Sequence, residues 1–167
     1  MWGKSTGNQR IEAWWSILRR QCTEFWISRF KRIQSTGLLN VDDPAHIQCL
    51  RFCFVSLLQR DLQRTVVEWN THRINVRRNE GLVAGKPDKM YFLPTEFHVE
   101  DCGCEYMEED VKRIRDEMQE ATANLEMVSP QFVQLVRVLM PNWRKPKDFE
   151  SALELFCLLL TKIRNQS

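Results

Sequence analysis

Apolar residues recur at steps of three and four along most of this chain, and that period constrains its fold more than any other feature. It predicts a long helix over residues 8–35 and another over 44–70. Further helices are predicted over 105–126, 130–139 and 148–164. No stretch alternates apolar and polar residues as a half-buried strand does. The sequence therefore predicts a mainly α fold, and 167 residues suffice for one domain with a core.

Residues of special backbone or capping chemistry support the predicted helix boundaries. Asp43 precedes Pro44, which places a carboxylate cap before a proline at the first helical position. Asp148 is the predicted start of the last helix, and Gly37 can end the first one. Residues 71–100 break the helical period because they hold glycines, prolines and basic residues. We expect an extended, irregular basic loop there.

Charge is unevenly distributed along the chain, although the net charge is only +2. Residues 1–41 carry seven Lys and Arg against two Asp and Glu. Residues 100–126 carry ten Asp and Glu against three Lys and Arg. This asymmetry favours a surface that faces a polyanion near the start of the chain, and a solvated or partner-facing helix later on.

The cysteines and the apolar runs indicate the cellular compartment in which we expect the protein to act. Six Cys residues occur, mostly inside apolar stretches, which favours reduced thiols in an intracellular protein. The start of the chain has no signal-peptide pattern, and no apolar run reaches the length that would cross a membrane. We therefore expect an intracellular protein without a membrane partner.

Glu12 is the acidic residue that raises a functional question, because it opens an aromatic-rich and arginine-rich helix. Metal-dependent phosphoryl transfer uses carboxylates that bridge two ions about 4 Å apart, yet the next acidic residue, Glu24, lies about three helical turns away. By itself Glu12 is most simply a carboxylate that stabilises the positive end of the helix dipole. Asn8, four residues earlier, can share its face, and the basic helix that follows suits a phosphate backbone.

The block Asn8-Gln9-Arg10-Ile11-Glu12-Ala13-Trp14-Trp15, followed by Leu18-Arg19-Arg20, resembles the last catalytic motif of a retroviral-type integrase core. It is most similar to the cores of eukaryotic transposon-derived proteins. Two later blocks, Trp69-Asn70-Thr71-His72-Arg73-Ile74 and Gly85-Lys86-Pro87-Asp88-Lys89-Met90-Tyr91, are also similar to that family. So is the last helix around Ala152-Leu153-Glu154-Leu155-Phe156.

The resemblance implies an RNase H-like fold, in which a mixed sheet is flanked by helices and two Asp and one Glu hold Mg²⁺. Glu12 would then be the third carboxylate of the DDE site and a metal ligand, and Asn8 would help to position the DNA end. The complete protein would integrate DNA by strand transfer, as a Mg²⁺-dependent polynucleotidyl transferase.

One departure from the family pattern changes this expectation. The family's two catalytic Asp residues lie on strands before the Glu helix, whereas eleven residues precede Glu12 here and none is acidic. We interpret the chain as the helical C-terminal portion of an RNase H-like α/β integrase core, with the sheet largely missing. Residues 1–100 would be that portion, and 101–167 an acidic helix with a C-terminal helical extension. We expect no catalysis and no tight Mg²⁺ binding by this chain.

DNA is the expected partner, which would place the protein in the nucleus. The residues predicted to contact its phosphates are Arg19, Arg20, Arg73, Arg77, Arg78, Lys86 and Lys89. The alternative for the basic loop is a solvated surface without a ligand. Two alternative functions stay open: a non-enzymatic helical module that binds DNA, a protein partner or itself, and a gene fragment without function.

Other candidate residues have simpler interpretations. The helical spacing of Trp14, Trp15 and Trp26 predicts burial in the core, although faces without a sheet partner would be exposed and promote association. We expect His72 to have a structural role. Zinc binding at His98, Cys102 and Cys104 is not expected, because paired half-sites are absent.

Overall fold

The computed structural model describes residues 9–75, 84–100, 103, 105–123 and 127–165. The chain divides into two compact units. The first comprises Met1–Thr65 and Met127–Ser167, and the second Val66–Glu126. Each unit is described by itself.

Helices make up most of the described chain, which confirms the mainly α prediction. The only pairing of β type in that part is one antiparallel bridge between Ile74 and Gly85. In chain order the helices are α1 Gln9–Leu18, a π-helical turn Arg19–Thr23, α2 Glu24–Ser35, α3 Pro44–Thr71, α4 Pro87–Phe92, a 3₁₀ turn Pro94–Phe97, α5 Glu108–Ala123, α6 Pro130–Leu139 and α7 Phe149–Arg164.

Local capping chemistry sets the predicted helix starts. Asp43 Oδ1 accepts from the main-chain N–H of Ala45 at 2.8 Å, just where α3 begins. Ser129 Oγ accepts from Phe132 N–H at the start of α6. Asp148 accepts from Ser151 N–H at 2.8 Å in a capping box that starts α7.

The core of the first unit is built around aromatic rings from three helices, α2, α3 and α7. Phe54 of α3 is 2% exposed. The rings of Phe30 and Phe149 have their centroids 5.3 Å from that of Phe54, and those of Trp26 and Phe156 lie at 6.3 and 6.4 Å. Because Phe149 and Phe156 belong to α7, residues from both ends of the chain complete one core.

Buried thiols lie in the same core. The described cysteines Cys22, Cys49, Cys53 and Cys157 are free. Burial raises the pKa of Cys49 to about 12 and raises that of Cys53 further above its usual range. These thiols therefore act as small apolar side chains rather than nucleophiles.

The second unit contains more structure than an extended, irregular segment. Pro87 and Pro94 occupy the first positions of α4 and of the 3₁₀ turn, where a missing N–H costs nothing. The expectation of an irregular loop over 71–100 was thus wrong for these residues. Along α5, Ile114 and Met118 lie four residues apart on one face and are exposed by 51% and 64% within the chain.

Candidate functional site

Glu12 lies in the first turn of α1 and is exposed. Its main-chain carbonyl accepts a hydrogen bond from Ser16 Oγ at 3.1 Å. Ser16 and Arg19 follow at i+4 and i+7, so Glu12, Ser16 and Arg19 form one exposed polar stripe along the helix. This polar stripe presents an oxygen ligand for a cation at one end and a donor for a phosphate at the other.

A π-helical turn determines what Arg19 contacts. The main-chain N–H of Glu24 donates to the carbonyl of Arg19, and Arg19 Nε donates to Glu24 Oε2 at 2.8 Å. The hydrogen bond and charge of Arg19 hold the pKa of Glu24 below its ordinary value, and the same contact raises the pKa of Arg19. Glu24 therefore offsets part of the charge that Arg19 can offer to DNA.

Arg20 is the less constrained of the two adjacent arginines. It is exposed, and it forms no ion pair with any other residue that the structure describes. Sequence reasoning missed the role of Glu24 because residues five apart are not neighbours on an α-helix. Only the π-helical turn, which has no reliable sequence signal, brings Arg19 and Glu24 together.

Arg29 of α2, another arginine of the basic first helical region, packs against aromatic rings. The guanidinium of Arg29 lies 5.0 Å from the ring centroid of Phe149 and 5.1 Å from that of Phe25. It also approaches Glu150 at 4.0 Å. These contacts hold Arg29 against the start of α7 and make it a poorer phosphate ligand than Arg20.

The basic residues of the second unit lie beside the bridge between Ile74 and Gly85. These two residues exchange main-chain hydrogen bonds of 2.8 and 3.2 Å. In this antiparallel register Arg73 stands opposite Lys86, and Lys89 follows on α4; all three are exposed. The structure thus brings Arg73 and Lys86 together. Of the other residues predicted to form the site, Asn8, Arg77 and Arg78 lie outside the described residues.

Gly85 permits the close packing behind this basic group. A Cβ atom built on Gly85 would lie 2.7 Å from Phe97 Cε1 and 3.1 Å from Met90 Cγ. Glycine is therefore needed here for close approach rather than for an unusual φ. The sequence shows Gly85 at the start of the block Gly85–Tyr91, but it does not predict that Phe97 and Met90 pack against this residue.

Two other predictions concern aromatic residues around the site. Trp26 is 4% exposed, as expected, but the burial predicted for Trp15 was wrong, because Trp15 is 59% exposed. Ile11, one turn earlier on the same face of α1, is 52% exposed. The spacing correctly located an apolar face on α1, but little of the described chain covers it.

His72 has the contacts of a structural residue. Its ring lies 4.4 Å from that of Trp69, and its Nδ1 contacts the main-chain oxygen of Trp69. His98 ends the 3₁₀ turn in a left-handed conformation with φ of 56°. Cys102 and Cys104 are outside the described residues.

The surroundings of Glu12 determine whether it could hold a metal ion. In the described parts of the chain, no three His, Cys, Asp or Glu side chains come together as a metal ion would require. A single exposed carboxylate is a weak ligand for Mg²⁺, which dehydrates reluctantly. The described residues do not by themselves fit this ion.

Comparison with protein families shows which family the chain belongs to. A family model described as "Integrase core domain" matches residues 1–92, more than half of the chain. The chain belongs to the integrase core domain family. The resemblance carried by the block from Asn8 to Trp15 is thereby confirmed. Comparisons with curated proteins and with solved structures gave no match.

The family places the candidate residues in a functional context. Integrase core domains generally use a divalent metal ion and generally bind DNA. Every residue of the polar stripe lies in the matched region, as do Arg73, Lys86 and Lys89. None of the helices in the described residues has the length and apolarity needed to cross a membrane.

Proposed function

We propose that this integrase core chain binds DNA through the phosphate backbone and does not perform strand transfer by itself. The observation that carries the proposal is the polar stripe that runs from α1 into the π-helical turn, where Glu12 and Arg19 share one exposed face in the family-matched region. Phosphate contacts of this kind are independent of base sequence and sensitive to salt. A chain that binds DNA in this way would act in the nucleus.

The proposal gives each candidate residue a role. Glu12 keeps the position of the third carboxylate and Asn8 that of a DNA-positioning residue. The phosphate contacts come from Arg19, Arg20, Arg73, Arg77, Arg78, Lys86 and Lys89. In this account residues 1–100 are the integrase core portion and 101–167 are a helical extension.

Catalysis by this chain is not part of the proposal because phosphoryl transfer of this class depends on ions bridged by several carboxylates. In the described residues no three possible ligand side chains come together, at Glu12 or elsewhere. Incubation with labelled DNA and Mg²⁺ tests this point. Cleavage or joining that Glu12→Gln abolishes would overturn it, whereas activity that Glu12→Gln leaves unchanged would indicate a contaminant.

Charge reversal in the π-helical turn after α1 tests DNA binding. Arg19→Glu with Arg20→Glu replaces two exposed donors by carboxylates. Each charge-assisted hydrogen bond contributes about 1.5–3 kcal/mol, so we expect duplex affinity to fall at least about tenfold per lost contact. The matched control is Arg144→Glu with Lys145→Glu, which makes the same change at two adjacent exposed residues of the loop before α7. Equal affinities of the two double variants would contradict the assignment of phosphate contacts to Arg19 and Arg20.

A second candidate function is protein binding or self-association through the apolar face of α1. Ile11 and Trp15 are adjacent on that face and more than half exposed. Exposed apolar surface of this kind commonly marks an interaction site. Light scattering across a range of protein concentrations would detect self-association, and loss of the associated species in Trp15→Ser would assign it to this face.

A further inference from the structure

Helix α4 carries two adjacent aromatic side chains that are largely exposed. Tyr91 and Phe92 are exposed by 79% and 72%. Their rings meet edge to face, with centroids 5.0 Å apart. Aromatic side chains are usually buried in cores and interfaces because they remove a large apolar area from water. The pair therefore offers two π-faces to a ligand.

The orientation of α4 follows from its packing. Met90 lies against Gly85, which also packs under Phe97 and pairs with Ile74. Because successive residues of a helix are separated by about 100°, fixing Met90 inward directs the next two side chains away from this contact. Tyr91 is thus exposed because the packing of Met90 sets the orientation of α4, and not because it lies at a free chain end.

Charges next to the rings identify the class of ligand. Lys89 lies three residues before Phe92, so the two side chains are neighbours on the helix surface. Lys86 and Arg73 stand opposite each other beside the bridge that supports α4. One half-buried carboxylate, Asp88, lies among these residues, in the first turn of α4. Two exposed lysines on the same segment thus accompany the exposed rings, and the exposed Arg73 stands opposite one of these lysines.

We propose that α4 binds single-stranded nucleic acid, with unpaired bases stacked on Tyr91 and Phe92. Lys86, Lys89 and Arg73 contact the adjacent phosphates. Stacking platforms interleaved with cations are the usual means of binding single strands, because every base has a π-face and every nucleotide a negative charge. This inference rests on the proposed phosphate binding and adds a preference for unpaired nucleotides.

Two DNA probes, one single-stranded and one duplex, test the proposed preference for unpaired nucleotides. A fluorescent oligothymidylate of about 20 nucleotides, longer than a typical single-strand binding site, and a duplex of equal length are titrated at one salt concentration. Tyr91→Ala and Phe92→Ala are each expected to weaken single-strand binding about five- to 100-fold, in line with the contribution of base stacking, while duplex affinity changes less than about twofold. Tyr91→Trp is expected to keep the single-strand affinity. Asp88→Asn is expected to tighten binding to both probes, since it removes a negative charge beside the phosphates.

The matched control is Tyr106→Ala. Tyr106 belongs to the same unit and is 75% exposed, but it is followed by Glu108 and Glu109 rather than lysines. We expect this variant to bind both probes as the parent does. Circular dichroism spectra verify that the variants fold.

Three other outcomes would overturn the inference. Unchanged single-strand affinity of the α4 variants, an equal loss for both probes, or an equal loss in Tyr106→Ala would exclude stacking on this pair. If the parent nevertheless binds duplex with strong salt dependence, the proposed function survives. If the parent binds neither probe, both proposals fail.

Discussion

Replacing Phe54 by alanine removes the ring at the centre of the first unit. Phe54 is 2% exposed, and its ring has four aromatic neighbours with centroids 5.3 to 6.4 Å away. Those neighbours belong to α2 and α7, so the ring joins three helices. A cavity left at this position is difficult to close, because every surrounding ring is itself packed against others.

The expected loss follows from this packing. Phe→Ala substitutions in cores cost about 3–5 kcal/mol, and the limited scope for collapse favours the upper half of that range. Phe54→Leu keeps most of the apolar volume and loses edge-to-face contacts worth about 0.5–1.5 kcal/mol each, so we expect a smaller loss of about 1–2 kcal/mol. Since domains are stable by only about 5–15 kcal/mol, the alanine variant would lose a large share of its stability.

Urea unfolding followed by far-ultraviolet circular dichroism measures the effect. With a typical slope of about 2 kcal/mol per molar urea, the midpoint of Phe54→Ala should fall by roughly 2 M. The control is Val138→Ala, at a position that is 77% exposed on α6, where we expect a change within about 0.5 kcal/mol. A loss below about 1 kcal/mol in Phe54→Ala, or one equal to that of the control, would refute the aromatic core described for this unit.

Three further predictions concern other parts of the first unit. Burial raises the pKa of Cys49 to about 12, so a thiol reagent at pH 8 should modify Cys49 only as fast as the chain unfolds; modification at the rate of a free thiol would contradict this. Hydrogen bonds from Ser151 lower the pKa of Asp148, so its cap stabilises α7 fully above the ordinary carboxyl pKa and less as pH falls through the lowered value. The urea midpoints of the parent and Asp148→Ala should therefore differ at pH 7, and the difference should begin to shrink as the pH falls below about 4, the ordinary carboxyl value; a constant gap would exclude this linkage. Trp15→Ser should reduce binding of an apolar dye and any concentration-dependent association, because Trp15 is 59% exposed; an unchanged dye signal would count against the apolar face of α1.

Helices were predictable from this sequence where their boundaries depend on local chemistry. Asp43, Ser129 and Asp148 each accept a hydrogen bond from a main-chain N–H one turn or less ahead, and that interaction depends only on nearby residues. Short helices were harder, because the six residues of α4 are too few to show a helical period. Its first residue, Pro87, indicated a break in structure but not that a helix begins there.

The candidate site was predictable only in part. The spacing around Trp15 locates an apolar face, but periodicity does not reveal whether another segment covers that face. The contact between Arg19 and Glu24 depends on a π-helical turn and could not be inferred from an α-helical spacing. The residues alone favoured a helix-start role for Glu12. Only the likeness of the whole block to integrase cores predicts a place for it in a metal site. The family match confirms that likeness, and the role of Glu12 stays a prediction.

The salt dependence of duplex DNA binding tests the central proposal most directly. For B-DNA the logarithm of the affinity falls with the logarithm of salt concentration by about 0.9 per phosphate contact. We predict a clearly negative slope for the parent and a slope smaller in magnitude by roughly 1.8 for Arg19→Glu with Arg20→Glu, because two contacts are lost. Arg144→Glu with Lys145→Glu should keep the slope of the parent. An affinity of the parent that is independent of salt, or a slope that Arg19→Glu with Arg20→Glu leaves unchanged, would contradict DNA binding by this surface.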